Sequence, residues 1–287
     1  MAEWVQWLAE PFRYEFMLRG LWASLIVGVV CPILGTYVVL RGMAFLGDAL
    51  AHIILPGVVL AFMLDWPLPV GALIVGTTAA LAIGAIGRRA DIKEDAAIGV
   101  VFAGAFALGV AMISVQRSYA VDLAHILFGN LLGVSNADIR LMLALGVVVL
   151  LTIFAFYKEF LVLSFDPVLA TTLRLPVTFL QNLLLVLLAI VIVISLQAVG
   201  VALVLAMLVT PASAAFLLAR RLPVMMVLSA GIGVLSSLAG LYLSYYADVV
   251  SGSAIVLVAT VIFGIVFLFA PRNGAIWGLW RRMHVRR

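Results

Sequence analysis

The stretch AFLGDALAHIILPGVVLAFML, residues 44–64, decides the fold class. It is long enough to cross a bilayer, which takes about 20 mainly apolar residues in a helix, and Asp48 and His52 are its only ionisable residues. The rest of the chain is also strongly apolar. Of all residues in the chain, 66% are hydrophobic and 10% are charged, whereas soluble domains are about 45–50% apolar and about 25% charged. The sequence therefore predicts an all-α, polytopic membrane protein, since only helices and closed barrels satisfy their backbone groups in lipid.

Apolar segments recur along the 287 residues and predict a helical bundle of eight full spans plus one short crossing. The full spans are 21–40, 44–64, 68–86, 96–115, 141–157, 179–196, 224–246 and 254–270, and the short crossing is 201–209. A crossing this short covers only about 14 Å, so we expect it to continue through 211–218 or to lie in a thinned region. An apolar segment at 123–134 is interpreted as a partial or surface helix. No soluble domain is predicted, and 1–287 reads as a single transmembrane domain.

The basic residues predict the orientation of the spans, because cytoplasmic loops carry an excess of Lys and Arg. With the N-terminus outside, thirteen of the 17 basic residues fall on the inner side. The four outside are Arg13, Arg19, Arg117 and Arg140. We therefore expect a multi-pass protein of the plasma (inner) membrane, with an outer N-terminal segment at 1–19. The basic tail, 272–287, would lie in the cytoplasm against anionic lipid headgroups or a partner protein.

Asp48 and His52 are four residues apart, so both side chains point from one face of a helix. An aspartate at the centre of a span costs about 2.5–3.5 kcal/mol on insertion scales, and such residues usually face a bundle interior or a cavity. Together the pair can bind a divalent ion, but two ligands are too few for a closed site. A second copy of the pair in a homodimer would complete it. The spacing also allows an intrahelical hydrogen bond or a proton relay.

Three other segments are candidates for function. The segment TPASAAFLLARRL, 210–222, predicts a short inner helix, which either faces a cytoplasmic partner or lies at the interface with snorkelling arginines. Asp166–Pro167 predicts a helix start, with a helix over 167–175 at the inner surface. Asp122 and His125 lie near the predicted outer face, where they are either a gate or ordinary interfacial residues.

The motifs of this chain resemble those of the permease subunits of metal-ion ABC importers, the family that takes up manganese, zinc or iron(II). The resemblance extends from about Leu18 to Gly274. It rests on LGDALAHIILPG (46–57), KEDAAIGVVFAGAFALG (93–109), HILFGNLLGVS (125–135), SFDPVLATTLRLP (164–176), VGVALVLAMLVTPASAAFLLARRL (199–222) and SGSAIVLVATVIF (251–263).

The resemblance implies a type II-like ABC importer transmembrane domain. In it, Asp48 and His52 are the pore-site metal ligands, and the segment after Thr210 is the coupling helix. The coupling residues would then be Pro211, Ala212, Ser213, Arg220 and Arg221. The implied partners are a second permease copy in a homodimer or heterodimer, two cytoplasmic ATP-binding subunits and an extracytoplasmic metal-binding protein. The chain itself would be no enzyme, would hold no permanent cofactor and would need no nucleic acid.

The transported metal is predicted to be Mn²⁺, with Zn²⁺ second. An Asp/His site offers oxygen and nitrogen ligands without a thiolate, and the Irving–Williams order favours zinc, so selectivity has to come from geometry. The segments LGDALAHIILPG (46–57), KEDAAIG (93–99) and FGNLLGVS (128–135) look closer to those of the manganese-type members.

Two other classes remain as alternatives. A proton-coupled secondary metal carrier would need no ATPase, and an intramembrane aspartyl protease would need Asp48 and Asp166 to meet. The sequence contains no GxxxxGK[ST] phosphate-binding loop, so any ATP hydrolysis has to come from another subunit.

Overall fold

The structure, a computed structural model, describes residues 10–88, 93–115 and 131–270. In these ranges nine segments are helical, long and apolar enough to cross a membrane, which confirms the prediction of an all-helical membrane protein. The helices are α1 (Glu15–Leu40), α2 (Ala44–Ile53), α3 (Leu55–Met63), α4 (Leu68–Gly87), α5 (Glu94–Val115), α6 (Asn136–Ala155), α7 (Tyr157–Phe165), α8 (Pro167–Thr172), α9 (Val177–Val199), α10 (Val201–Leu218), α11 (Leu222–Ala247) and α12 (Ser251–Phe269).

The first span is longer than predicted. Helix α1 begins at Glu15, so residues 15–19 of the predicted outer segment are helical. A carboxylate in the first turn of a helix is favourable, and Glu15 also lies 4.0 Å from Arg19, one turn further on. Of the predicted partial helix at 123–134, the described residues show only the 3₁₀ turn Leu131–Gly133. The basic tail lies outside them.

The predicted short crossing at 201–209 is part of a full span. Helix α10 continues through Pro211 to Leu218, so the extension expected from its length is present. Proline is tolerated in membrane helices because neighbouring groups satisfy the backbone that it leaves free. The structure therefore has no separate helix over 210–222, and Arg220 and Arg221 lie in the connection between α10 and α11.

The described helices belong to two compact units. Among the described residues, the first contains nearly all of α1, residues 131–140 and the chain from 202 to 270, which includes nearly all of α10 together with α11 and α12. The second contains α2 to α5, α7 to α9 and most of α6. In the second unit, α4 packs against α3 and α9, while α5 packs against α2 and α3. These contacts place α5 beside the helix that carries Asp48 and His52.

Pairs of glycines allow helix backbones to touch in both units. In the second unit, a Cβ on Gly71 of α4 would collide with the carbonyl oxygen of Gly57 on α3. In the first unit, Gly28 of α1 and Gly233 of α11 face each other in the same way. Because lipid provides no hydrophobic drive between helices, such close approach gives the van der Waals contact that holds them together.

We expect Gly71→Val to destabilise the protein by about 1–3 kcal/mol, as overpacking of a tight contact does. The expected result is a lower midpoint of thermal aggregation in detergent and a lower yield of monodisperse protein. Gly104→Val is the matched control, because no atom lies within 4 Å of the added Cβ there. Equal behaviour of the two variants would contradict the importance of the Gly57–Gly71 contact.

Candidate metal centre

Helix α2 places Asp48 and His52 on one face, one turn apart. The Oδ1 atom of Asp48 lies 3.7 Å from Nε2 of His52. This separation is too long for a hydrogen bond, so the intrahelical bond that the spacing allowed is not formed. Two ligand atoms that each lie roughly 2.1 Å from one metal ion are at most roughly 4.2 Å apart. The observed distance therefore suits two ligands of a single ion.

Two phenylalanines of α5 orient the imidazole. The ring of His52 meets Phe102 and Phe106 edge-on, with centroids 6.1 and 5.9 Å away. These two rings lie one helical turn apart and stack on each other with centroids at 5.8 Å, and Phe45 packs edge-on against Phe102. Edge-to-face contacts of this kind are favourable and directional. The aromatic cluster therefore restricts the rotation of His52 from the side of α5.

The pair stays open on its other side. The side chains of Asp48 and His52 keep 43% and 30% of their accessible surface, although α2 is otherwise largely buried. Among the described residues, no group of three or more His, Cys, Asp or Glu side chains could hold a metal ion. The described part of the chain thus offers two potential metal ligands on an accessible face.

The break between α2 and α3 lies directly beside this pair. Helix α2 ends at Ile53 and α3 begins at Leu55. Pro56 has no N–H group, so it cannot donate to the carbonyl of His52 four residues earlier. The carbonyl end of a helix carries a partial negative charge and favours cations. His52 therefore lies in a last turn whose backbone favours a positive charge.

The other predicted site residues are distributed elsewhere. Pro211 and Ala212 are buried in the first unit and Ser213 is partly buried, whereas Arg220 and Arg221 are exposed. Asp122 and His125 lie outside the described residues.

Asp166 has a local structural role. Its Oδ1 atom accepts hydrogen bonds from the backbone N–H groups of Val168 and Leu169, at 2.9 and 3.0 Å. This is the predicted N-cap, and it starts helix α8 at Pro167, although the helix ends at Thr172 and not at 175. Because this carboxylate caps a helix, the structure gives no reason to pair it with Asp48 as a protease would require.

Two features of the structure were missed in the sequence. The first is the contact of Phe102 and Phe106 with His52. Both phenylalanines lie in 93–109, one of the segments that carry the family resemblance, and their spacing of four residues indicates that they share a helix face. The second feature is the exposed apolar surface of the α7–α8 region. There Phe165 and Val168 keep 64% and 75% of their accessible surface, on a connection between spans.

Comparisons with known proteins agree with this architecture. The chain is 47% identical over 272 residues to the manganese transport system membrane protein MntC of Halalkalibacterium halodurans, covering 95% of this chain and 93% of that protein. It is 40% identical over 262 residues to the chelated iron transport system membrane protein YfeD of Yersinia pestis, covering 91% and 88%.

A solved structure described as PsaBC from Streptococcus pneumoniae in complex with Fab matches with a TM-score of 0.82 and 40% identity. The match covers 94% of this chain and 97% of that one. The ABC 3 transport family matches residues 13–270, which is nearly the whole described part of the chain. The resemblance to metal-ion ABC importer permeases is confirmed, and the chain belongs to the ABC-3 transport family as a transport permease subunit rather than an enzyme.

Proposed function

We propose that this permease carries Mn²⁺ across the membrane through a pore between two copies of the chain. Asp48 and His52 of each copy bind the ion together. The observation that carries this proposal is the open Asp48–His52 pair, whose 3.7 Å separation fits one ion. Two such pairs supply four ligands, which is the usual minimum for a transition-metal site.

Manganese is favoured over zinc by two considerations. Carboxylate ligands suit Mn²⁺, and the pair provides no thiolate that would favour zinc. The relative from Halalkalibacterium halodurans is named as a manganese transport protein, whereas the Yersinia pestis relative is named for chelated iron. Zn²⁺ is the second candidate, because an oxygen and nitrogen site does not exclude it.

The orientation follows from the span count and the basic residues. We infer the orientation from the nine apolar helices of the described residues, whose odd number favours termini on opposite sides, and from the excess of basic residues, which favours a cytoplasmic C-terminus. The connections after α1, α4, α6 and α10 then face the cytoplasm. An extracytoplasmic metal-binding protein delivers the ion on the opposite side.

Transport proceeds by alternating access in this proposal. The delivery protein releases the ion into the outward-open pore, where the two Asp48–His52 pairs hold it. Two cytoplasmic ATP-binding subunits then drive the permease to open inward. The break at Ile54 lets α2 change its direction relative to α3, because no helical hydrogen bond from Pro56 joins the two pieces. In this proposal the Asp48–His52 pair, which lies on α2, changes its position when α2 turns relative to α3.

Two exposed parts of the permease are proposed to contact the ATP-binding subunits: the connection between α10 and α11, and the region of α8. Arg220 and Arg221 are exposed on the predicted inner side and keep their predicted coupling role, whereas the buried Pro211 and Ala212 act only inside the permease. Helix α8 provides an apolar contact, because Val168, Leu169 and Leu173 are all exposed there. Exposed apolar clusters on connections outside the bilayer usually bind another protein.

The first test is metal uptake by vesicles that contain the permease, its ATP-binding subunit and its delivery protein. We expect ATP-dependent uptake of Mn²⁺, with Zn²⁺ and Fe²⁺ slower. Asp48→Asn and His52→Ala should each lower uptake by more than the roughly 10–100-fold that the loss of an outer-shell partner costs. Asp65→Asn is the control, because Asp65 is an exposed carboxylate in a left-handed turn that asparagine tolerates.

Normal uptake in Asp48→Asn or His52→Ala, with the complex assembled as in the wild type, would disprove the metal site. Uptake that needs no ATP and follows an imposed proton gradient would instead establish a secondary carrier. Faster uptake of Zn²⁺ than of Mn²⁺ would reverse the order of the two metals.

A second prediction concerns helix α8. Val168→Asp should remove most of the ATP-binding subunit that co-purifies with the permease, because it puts a charge into an apolar contact. Val250→Asp is the matched control: Val250 keeps 71% of its accessible surface, against 75% for Val168, but lies on the predicted outer side. Full co-purification in Val168→Asp would exclude α8 from the contact.

The third prediction separates docking from coupling. The double substitution Arg220→Gln and Arg221→Gln should leave the complex assembled but abolish the stimulation of ATP hydrolysis by the loaded delivery protein. Arg13→Gln with Arg140→Gln removes the same charge from the predicted outer side and should leave stimulation intact. Unchanged stimulation in the Arg220 and Arg221 variant would refute its coupling role.

A further inference from the structure

A cavity of about 80 Å³ lies in the second unit, and neither Asp48 nor His52 lines it. It is bounded by the residues before α2, the last turns of α4, the start of α5 and the first turns of α9. Its charged and polar lining consists of Arg41, Arg88, Glu94 and Gln181. The remaining lining side chains are apolar or glycine.

Arg41 presents an unused donor in this cavity. Its side chain keeps only 9% of its accessible surface, and Nη2 donates to Oε1 of Glu94 at 3.1 Å. The Nη1 group is buried and has no hydrogen-bond partner. Burial lowers the pKa of Arg41, and the carboxylate of Glu94 counteracts this effect. A buried charged donor without a partner is unfavourable, so an acceptor placed in the cavity would stabilise it.

A second guanidinium is held at the rim. Nη1 of Arg88 donates to Oδ1 of Asn182 at 2.7 Å, which fixes the group while its other donors stay accessible on an exposed residue. Helix α5 begins at Glu94, and the N-terminal end of a helix favours anions. With two guanidiniums against the single carboxylate of Glu94, the lining carries a net positive charge.

The chemistry of this lining selects a phosphate group. Guanidinium groups bind phosphate oxygens through paired hydrogen bonds, and the apolar walls suit the glycerol and first methylenes behind a lipid phosphate. The cavity lies at the ends of membrane spans, where headgroup phosphates are found. Basic pockets between membrane helices on the cytoplasmic side are a recurrent form of anionic lipid site.

We propose that this cavity binds the phosphate of an anionic phospholipid, with Arg41 and Arg88 as the two cationic contacts. The phosphate occupies the space in front of the Nη1 group of Arg41, and the acyl chains leave along the outer surface of α4 and α5. Glu94 keeps Arg41 in place and repels a second anion, so each chain binds one headgroup.

The test uses the purified permease in nanodiscs of phosphatidylglycerol and phosphatidylcholine, followed by native mass spectrometry of retained lipid. The wild type should keep one phosphatidylglycerol per chain, and Arg88→Gln should lower this retention about tenfold. Arg174→Gln is the control, since Arg174 is exposed and lies outside the cavity lining. Arg41→Lys, which keeps the charge but loses the second donor, should give an intermediate loss.

Equal retention in the wild type and Arg88→Gln would overturn the proposal, as would an equal loss in Arg174→Gln. Thermal stability of the detergent-purified protein in inorganic phosphate distinguishes the source of the ligand. Inorganic phosphate could raise the thermal stability in an Arg88-dependent way while phosphatidylglycerol is not selectively retained. That result would support the phosphate site, with a free anion as its occupant. Stabilisation by neither ligand would exclude the site.

Discussion

The absence of water in the bilayer core is the constraint from which the rest of this structure follows. Every backbone N–H and C=O group has to be satisfied within the protein, which forces the spans into helices. Helices that have lost the hydrophobic drive between them must then pack through close contact, and the glycine pairs Gly57–Gly71 and Gly28–Gly233 provide it. Buried serines add to this in the first unit, where Ser237 donates to the carbonyl of Ser24 at 2.9 Å.

The same lack of water makes the positions of Asp48 and His52 informative about function. Placing an ionisable side chain in a membrane span costs free energy, so such residues usually have a function. Here the structure keeps them accessible, supports the imidazole with Phe102 and Phe106, and ends the helix immediately after it. The arrangement combines a rigid wall on one side with an open face on the other. In the proposed function, this openness suits an ion that has to enter and leave, because a fully enclosed site would release it slowly.

The spans and the shared helix face of Asp48 and His52 could be predicted from the sequence because both depend on local patterns, whereas metal binding by the pair stays a prediction. Hydrophobic runs identify spans, and a spacing of four residues identifies a shared helix face. The N-cap at Asp166 was predicted for the same reason, since a cap involves only its own turn. The continuation of α10 through Pro211 was only one of two alternatives in the sequence analysis. Whether a helix continues through a proline depends on the neighbouring helices, which the local sequence does not show. Contacts between spans, such as Phe106 with His52, could not be predicted in this way, because the spacing of Phe102 and Phe106 shows only that the two rings share a helix face and not which helix they meet.

The Arg41–Glu94 pair is another contact between distant parts of the chain, because 53 residues separate its members. At about 5–20 residues per second, synthesis delivers Glu94 roughly 3–10 s after Arg41. During that interval Arg41 is an uncompensated cation at the end of the first span, and cations in this position hold a loop on the cytoplasmic side. With the proposed orientation, Arg41 acts first as a topological signal during insertion, and it becomes buried against Glu94 only when α5 arrives.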